Sequence, residues 1–407
     1  ECQLLPEKKI PMSIDPHSFK EIDTGKRILM GPGPSNVPPR VLHAMAAPCI
    51  GHLDPEFLGF MNEAQQLLRY CFQTRNPFTL PVSGTGSAGM ETSLVNFVEP
   101  GDNVLVCANG VFGLRMCDLT LRLGGNLIQV KAEWGRAIDP EAVRRAVKGR
   151  DLKLLAVVHA ETSTGACTPL EDLADIAHEA GALFLVDMVT SFAGMDVAVD
   201  RTGIDIAFSG TQKCLSCPPG LSPVTFGSRA MEVLQNRKTK VPSWYLDMNM
   251  VGKYWGAHRK YHHTAAVNMI YALRESLRIV AEEGLEKRWE RHFLNHRALV
   301  AGLEAMGLSM VVPEGERLPM LNTVWIPEGA EDAFTRRHLL QAYAIEIGAG
   351  LGDLAGRVWR VGLMGHTAQP RNVLLFLSAL EATLRKQNVE LQSGGMEAAA
   401  AVYEDAW

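Results

Sequence analysis

"DIAFSGTQKCLSCPPG", residues 205–220, sets a lysine at the edge of an apolar core. Ile206, Ala207 and Phe208 read as the end of a buried strand, and Ser209 to Gln212 turn the chain sharply. Lys213 follows, then small residues, two prolines, a glycine and another apolar run. A loop lysine is ordinarily solvated. Here the apolar strand and the small, rigid flanks hold the ammonium partly out of water. Such a lysine has a lowered pKa and can form a Schiff base with a carbonyl.

Working outward, short apolar runs alternate with amphipathic ones. "FTLPV" (78–82) leads into "SAGMETSLVNFV", "NVLVC" (103–107) into "FGLRMCDLTLRL", and "LKLLAVV" (152–158) precedes "LEDLADIAHEA". "ALFLVD" (182–187) and "DIAFSG" (205–210) continue the series. This rhythm predicts an α/β fold of βαβ units, with a mostly parallel sheet covered by helices on both faces. Ligands in such sheets sit at the carboxyl ends of the strands. From 262 to 306 the pattern turns long and helical. Beyond it "LSMVVP", "LNTVWIP" and "RVWRVGL" mix irregularly with helices near 334–344 and 370–386, which predicts a smaller C-terminal α+β domain. The expected organisation is an N-terminal arm (1–26), a large domain (27–285), a small domain (286–387) and a loose tail (388–407).

With 407 residues, 47% hydrophobic, the chain has ample material for such cores. A net charge of -5 and the lack of a basic run argue against a nucleic-acid partner. No apolar stretch is long enough for a bilayer, so no membrane is expected. The polar, proline-broken start lacks a signal-peptide core, and "EDAW" is not a peroxisomal tripeptide; the cytoplasm is the expected compartment. The eight cysteines, several inside apolar runs, suit a reducing compartment. "CLSC" reads as small residues in a tight loop, and no second Cys/His pair has ligand spacing, so no metal is expected.

Three further stretches bear on Lys213. "SGTGSAGME" (83–91) carries G-x-G-x-x-G at Gly84, Gly86 and Gly89, between a strand and a helix. Free N–H groups there favour a phosphate, although a plain tight turn explains the glycines equally well. A dinucleotide would need an acid at the end of the next strand, which instead reads "VCANG". "ALFLVDMVTSFAG" places Asp187 directly after apolar strand residues, either as a cap or as a buried acid awaiting a cationic ring nitrogen. Pyridoxal phosphate offers an aldehyde for Lys213, a phosphate for residues 83–89 and a pyridinium for Asp187, so one cofactor accounts for all three. His159 of "HAETSTG" (159–165) reads alone as a satisfied core histidine, and Thr162 can reach the cofactor's phenolic oxygen. In "RVWRVGLMG", Arg360 is either a surface strand residue or a buried bidentate carboxylate clamp.

Taken together, these stretches resemble the class V, fold-type I, pyridoxal-phosphate aminotransferases, and most of all the alanine–glyoxylate and serine–glyoxylate group. The likeness runs in unbroken order over about residues 27–385, from "RILMGPGPSNVPPRVLHAM" through "SGTGSAGME", "HAETSTG", "LVDMVTSFAG", "SGTQKCLSCPPG" and "YHHTAAVN" to "RVWRVGLMG". It implies that Lys213 is the Schiff-base lysine and proton shuttle. Asp187 would pair with the ring nitrogen and Val189 would pack beneath the ring. Thr85, Gly86, Ser87 and Gln212 would bind the phosphate, and Thr162 would touch cofactor and substrate. Arg360 would hold the substrate carboxylate, with Gly31 and Gly33 near the substrate. Tyr261 and Thr264 would reach the phosphate of a neighbouring subunit, making a homodimer with shared sites. Two positions depart from animal members: Ser87 stands where they carry a histidine, and Phe112 of "ANGVFG" where they stack a tryptophan on the ring.

The implied activity is a ping-pong transamination between small amino-acid and 2-oxo-acid substrates. Alanine or serine gives its amino group to glyoxylate, yielding pyruvate or hydroxypyruvate and glycine. Ureidoglycine and 3-hydroxykynurenine are alternative donors. The rivals are a cysteine desulfurase or lyase, which needs a mobile cysteine in the C-terminal third where none occurs, and a non-catalytic nucleotide-binding protein using residues 83–89.

Overall fold

The computed structural model describes residues 15–406. Part of the expected arm, residues 1–14, lies outside the described residues, and residues 15–26 are almost wholly exposed. Seven strands form the main sheet: β1 (Phe78–Ser83), β2 (Asn103–Ala108), β3 (Asn126–Lys131), β4 (Leu154–Val158), β5 (Leu183–Asp187), β6 (Ile206–Phe208) and β7 (Leu221–Phe226). Their spatial order is β1-β7-β6-β5-β4-β2-β3, and only β7 runs antiparallel to its neighbours. Every residue of β4 and β5 is buried, as continuous apolar runs require when helices cover both faces.

Register places the site. Asp187, the last residue of β5, pairs with Val158 on one side and Phe208 on the other. The segments following β4, β5 and β6 therefore leave the sheet along one edge. The start of β7 pairs with the end of β1, Leu221 with Ser83, so the glycine turn after β1 emerges there too.

A second, antiparallel sheet has the order β8 (Leu321–Trp325), β10 (Val358–Gly362), β9 (Gly348–Ala349). Its core gathers residues from Ala298 to Tyr403, whereas the main core runs from Val41 to Leu285. Two expectations change here. Residues 28–30, expected in the large domain, serve the second core: Ile28–Leu29 pairs with Ile345–Glu346, and Met30 is fully buried in that core. Within residues 388–407, expected as a loose tail, Gly395–Glu404 folds back as a helix along the helix Leu285–Ala305, and residue 407 lies outside the described residues. Small residues permit this approach: a Cβ on Gly302 would stand 2.8 Å from the Gly395 carbonyl oxygen. Ala399 is fully buried, and Tyr403 Oη donates to Asn295 Oδ1 at 2.8 Å. Among the described residues no helix is long and apolar enough to cross a membrane, and no cysteine is paired, those of "CLSC" being buried.

Candidate active site

Lys213 leaves β6 through the turn read in the sequence and is only 7% exposed. Its Nζ donates to the Pro32 carbonyl. The chain opposite comes so close that a Cβ on Gly33 would stand 2.7 Å from Lys213 Cδ. Gly33 also has a φ of +106°, a region only glycine enters freely. Burial, helped by the positive charge of Arg360, lowers the Lys213 ammonium to about 8. The loop itself is pinned from three sides. Ser35 Oγ donates to the Lys213 carbonyl at 2.7 Å, Arg288 donates to that of Cys214, and Ser276 to that of Leu215.

Asp187 is 3% exposed. Its Oδ1 accepts the Val189 N–H at 2.8 Å, and its Oδ2 has no hydrogen-bond partner among the described residues. Burial pushes the carboxyl up to about 7, with the nearby charge of Glu161 adding to the rise; Lys213 and Arg115 oppose it. A group this buried ionises fully only when a cation faces it.

Between these two residues lies a cradle of backbone. A Cβ on Gly86 would touch Val189 Cγ2 at 3.3 Å, and one on Gly210 would lie 3.3 Å from Gly86 Cα. Thr85 caps the helix Gly86–Val95 without a side-chain bond, leaving its first N–H groups free for an anion. Gln212 adds an amide whose buried Oε1 has no partner; turning the amide over presents Nε2 instead. Ser87 Oγ accepts from Arg115 Nη1 at 3.1 Å, and that guanidinium lies 5.0 Å from the centre of the Phe112 ring. His159 is the satisfied core histidine its sequence suggests, bonded to Ser191 Oγ at 3.0 Å and lowered by burial to about 4.

Arg360 reaches the site from the second sheet. It is 6% exposed, which removes the surface-strand reading. Nε donates to the Ala349 carbonyl at 2.7 Å and Nη1 to that of Thr162 at 3.0 Å. It forms no ion pair among the described residues, and burial lowers it to about 10, with the charge of Glu161 opposing the fall. A buried guanidinium with unspent donors and no ion-pair partner can receive a carboxylate. Gly31 abuts the same strand: a Cβ on Gly362 would lie 1.9 Å from the Gly31 oxygen, and one on Gly31 would lie 3.7 Å from the nitrogen of Gly348, the strand partner of Arg360. Thr162 is buried, with its hydroxyl unbonded.

Tyr261 and Thr264 are exposed and make no hydrogen bond to this cradle; Tyr261 instead lies 5.3 Å from the His52 ring. Their neighbour His263 faces Ser83 Oγ at 3.5 Å. Sequence reasoning passed over Glu161 and Arg115. Glu161 carried a usable signal, an acid among hydroxyl residues directly after a buried strand. Arg115 carried a fainter one, its place one helical turn beyond Phe112.

These residues fit pyridoxal phosphate on the structure's own terms. A glycine cradle that Cβ atoms would fill meets a carboxylate with one unpartnered oxygen and an amine of lowered pKa. Comparison with known proteins agrees. The family described as Aminotransferase class-V matches residues 28–355. The (S)-ureidoglycine–glyoxylate transaminase of Bacillus subtilis is 40% identical over 406 residues, 95% of this chain and 98% of that protein. The alanine–glyoxylate aminotransferase of Mus musculus is 40% identical over 370 residues, 90% of this chain and 89% of that protein. The crystal structure of an alanine–glyoxylate aminotransferase from Nostoc sp. superposes with a TM-score of 0.89 at 49% identity, covering 92% of this chain and all of that one.

Proposed function

We propose that this chain, which belongs to the class V aminotransferases and with them takes pyridoxal phosphate in a type I fold, moves an amino group from a small amino acid to glyoxylate. Alanine or serine is the donor, and pyruvate or hydroxypyruvate and glycine are the products. The observation that carries this reading is Arg360, buried without an ion-pair partner among the described residues and bonded to the Thr162 carbonyl in the turn past β4. Both proposed substrates present a carboxylate for it. Opposite the lysine, Gly31 and Gly33 bring bare backbone rather than a side-chain pocket, which suits a small substituent.

When bound, the cofactor supplies an electron sink for the substrate's α-carbon. The chain's residues do the rest. The Lys213 amine, lowered to about 8, is partly neutral near pH 7–8 and can take and return the α-proton. Asp187 Oδ2 would hold the proton on the ring nitrogen, and Val189 would pack against the ring. The N–H groups at Thr85, Gly86 and Ser87, with Gln212, bind the phosphate. Phe112 would cover the ring, Thr162 would offer its hydroxyl to the phenolic oxygen, and Arg360 would orient the substrate carboxylate. Tyr261 and Thr264, exposed in one copy, complete the phosphate site of a second copy, so that the working unit is a homodimer.

Ureidoglycine is a second donor reading, favoured by the near full-length likeness to the Bacillus subtilis transaminase. One experiment tests both. The yellow holoprotein is mixed with alanine, serine, ureidoglycine or 3-hydroxykynurenine, and cofactor bleaching is followed, then reversed with glyoxylate. Fast bleaching by alanine or serine supports the first reading, and bleaching by ureidoglycine alone replaces it with the second. Failure of glyoxylate to restore the colour refutes both. Borohydride followed by peptide mapping should place the cofactor mass on Lys213 and find none in Lys213→Ala.

A further inference from the structure

Glu161 is the one fully buried carboxylate near the cradle that the proposed reaction does not use. It sits in the short strand Ala160–Glu161, just past β4. Four donors converge on it. Oε1 accepts from Ser163 Oγ at 2.6 Å and Ser163 N at 3.1 Å; Oε2 accepts from Phe112 N at 3.1 Å and Gly113 N at 3.3 Å. Ser163 Oγ in turn accepts the Val111 N–H at 2.9 Å. Three successive N–H groups at the start of the helix Val111–Arg122 are thus held from the turn after β4. The fit is close: a Cβ on Gly110 would lie 2.4 Å from both Glu161 Cγ and Ser163 Oγ.

The same turn faces the other way as well. Thr162, between Glu161 and Ser163, gives its carbonyl to Arg360 Nη1 at 3.0 Å. The orientation of that carbonyl follows from the two residues that clamp its flanks.

We infer that Glu161 is a positioning residue that ties the helix carrying Phe112 to the arginine that receives the substrate carboxylate. It touches neither substrate nor cofactor. It fixes the start of the helix that bears Phe112 on one side and the aim of Arg360 on the other. Burial pushes its carboxyl up, and the hydrogen bonds from Ser163, Gly113 and Phe112 oppose that rise. The inference rests on the roles proposed above for Phe112 and Arg360.

Glu161→Gln is the discriminating change. Both carboxylate oxygens accept from two donors, and an amide has only one oxygen. Either amide orientation turns an NH2 toward N–H groups. Unpaired buried donors cost enough to shift binding by roughly tenfold. The expected results are a roughly tenfold weaker affinity of the cofactor-free protein for pyridoxal phosphate, a changed circular-dichroism band of the bound cofactor, and KM raised for donor and glyoxylate alike by a similar factor, more than kcat falls. Leu173→Ala, a core change in the helix Glu171–Glu179, serves as the control, lowering the melting temperature alone. If Glu161→Gln behaves like this control, with cofactor affinity, dichroism and KM unmoved, the inference is overturned. Should that variant not fold, Ser163→Ala removes a donor to Oε1 and the acceptor for Val111 N–H; it must move the same readouts in the same direction, and unmoved values overturn the inference equally. Phe112→Ala and Arg360→Met are measured alongside. If these two also leave affinity and KM unchanged, the underlying site reading has failed, and the inference falls with it.

Discussion

Replacing Arg360 by methionine keeps much of the side chain's length and removes its five N–H donors. Two of those donors are engaged, by the Ala349 and Thr162 carbonyls. The others are left for a ligand, in a setting where the residue is 6% exposed. An exposed ion pair would contribute under about 1 kcal/mol, and the change would then hardly register. A buried, hydrogen-bonded charge pair behaves differently. Truncating one partner costs roughly 2–5 kcal/mol, because the other charge stays desolvated and unpaired. At about 1.4 kcal/mol per tenfold, that is a rise of roughly 30-fold to several thousandfold in KM. Both half-reactions should show it, since donor and glyoxylate each carry a carboxylate. Stopped-flow absorbance of the bound cofactor reads each half-reaction separately. Arg360→Lys should recover only part of the loss, because an ammonium cannot make the paired bonds of a guanidinium. A carboxylate-free amine should react equally poorly with the original protein and with the variant. A KM within about twofold of the original for both substrates would refute the argument, and with it the reading of Arg360 as a receptor.

Asp187→Asn separates stability from activity. Burial holds the Asp187 carboxyl near 7 against an ordinary 3.8, so the cofactor-free folded state binds the extra proton between those values. Stability of the cofactor-free protein therefore falls as pH rises through that window, and asparagine removes the fall. At pH 8 the cofactor-free variant should resist urea better, by up to roughly 4 kcal/mol, while losing transamination; equal or lower resistance would count against the buried-acid argument. Tyr403→Phe should lower the urea midpoint, because Asn295 Oδ1 loses its donor at a cost of about 1–3 kcal/mol. An unchanged midpoint there would mean that the C-terminal helix contributes little to the second core.

Much of the site was legible because its residues contradict their surroundings. A lysine between an apolar strand and a proline-rich turn, an aspartate closing an apolar run, and an arginine flanked by valines each violate local expectation, and such violations mark function. The parallel sheet was legible from the alternation of runs. The position of β7 was not, because its apolar sequence looks the same inserted antiparallel between β1 and β6 as at an edge. Glu161 stayed hidden for a related reason. Two of its partners are the N–H groups of residues 112 and 113, which leave no trace in a sequence and lie one helix and two strands away. The C-terminal helix was misread because "MEAAAAVY" carries few large apolar residues. Its burial depends on glycines that let two helix backbones meet, a property of the pair rather than of either segment.

The pairing of Ile28–Leu29 with Ile345–Glu346, and the place of Met30 inside the second core, make that core depend on residues some three hundred positions away in the chain. The lobe that bears Arg360 is not a contiguous stretch of chain. During synthesis its first strand emerges long before the strand it pairs with, and must wait, unpaired, through the making of the entire main sheet. Closing so distant a contact is entropically slow. A fragment beginning after Gly33 would keep every residue of the arginine's own strand, yet lack the strand that pairs with Ile345–Glu346 in the same lobe.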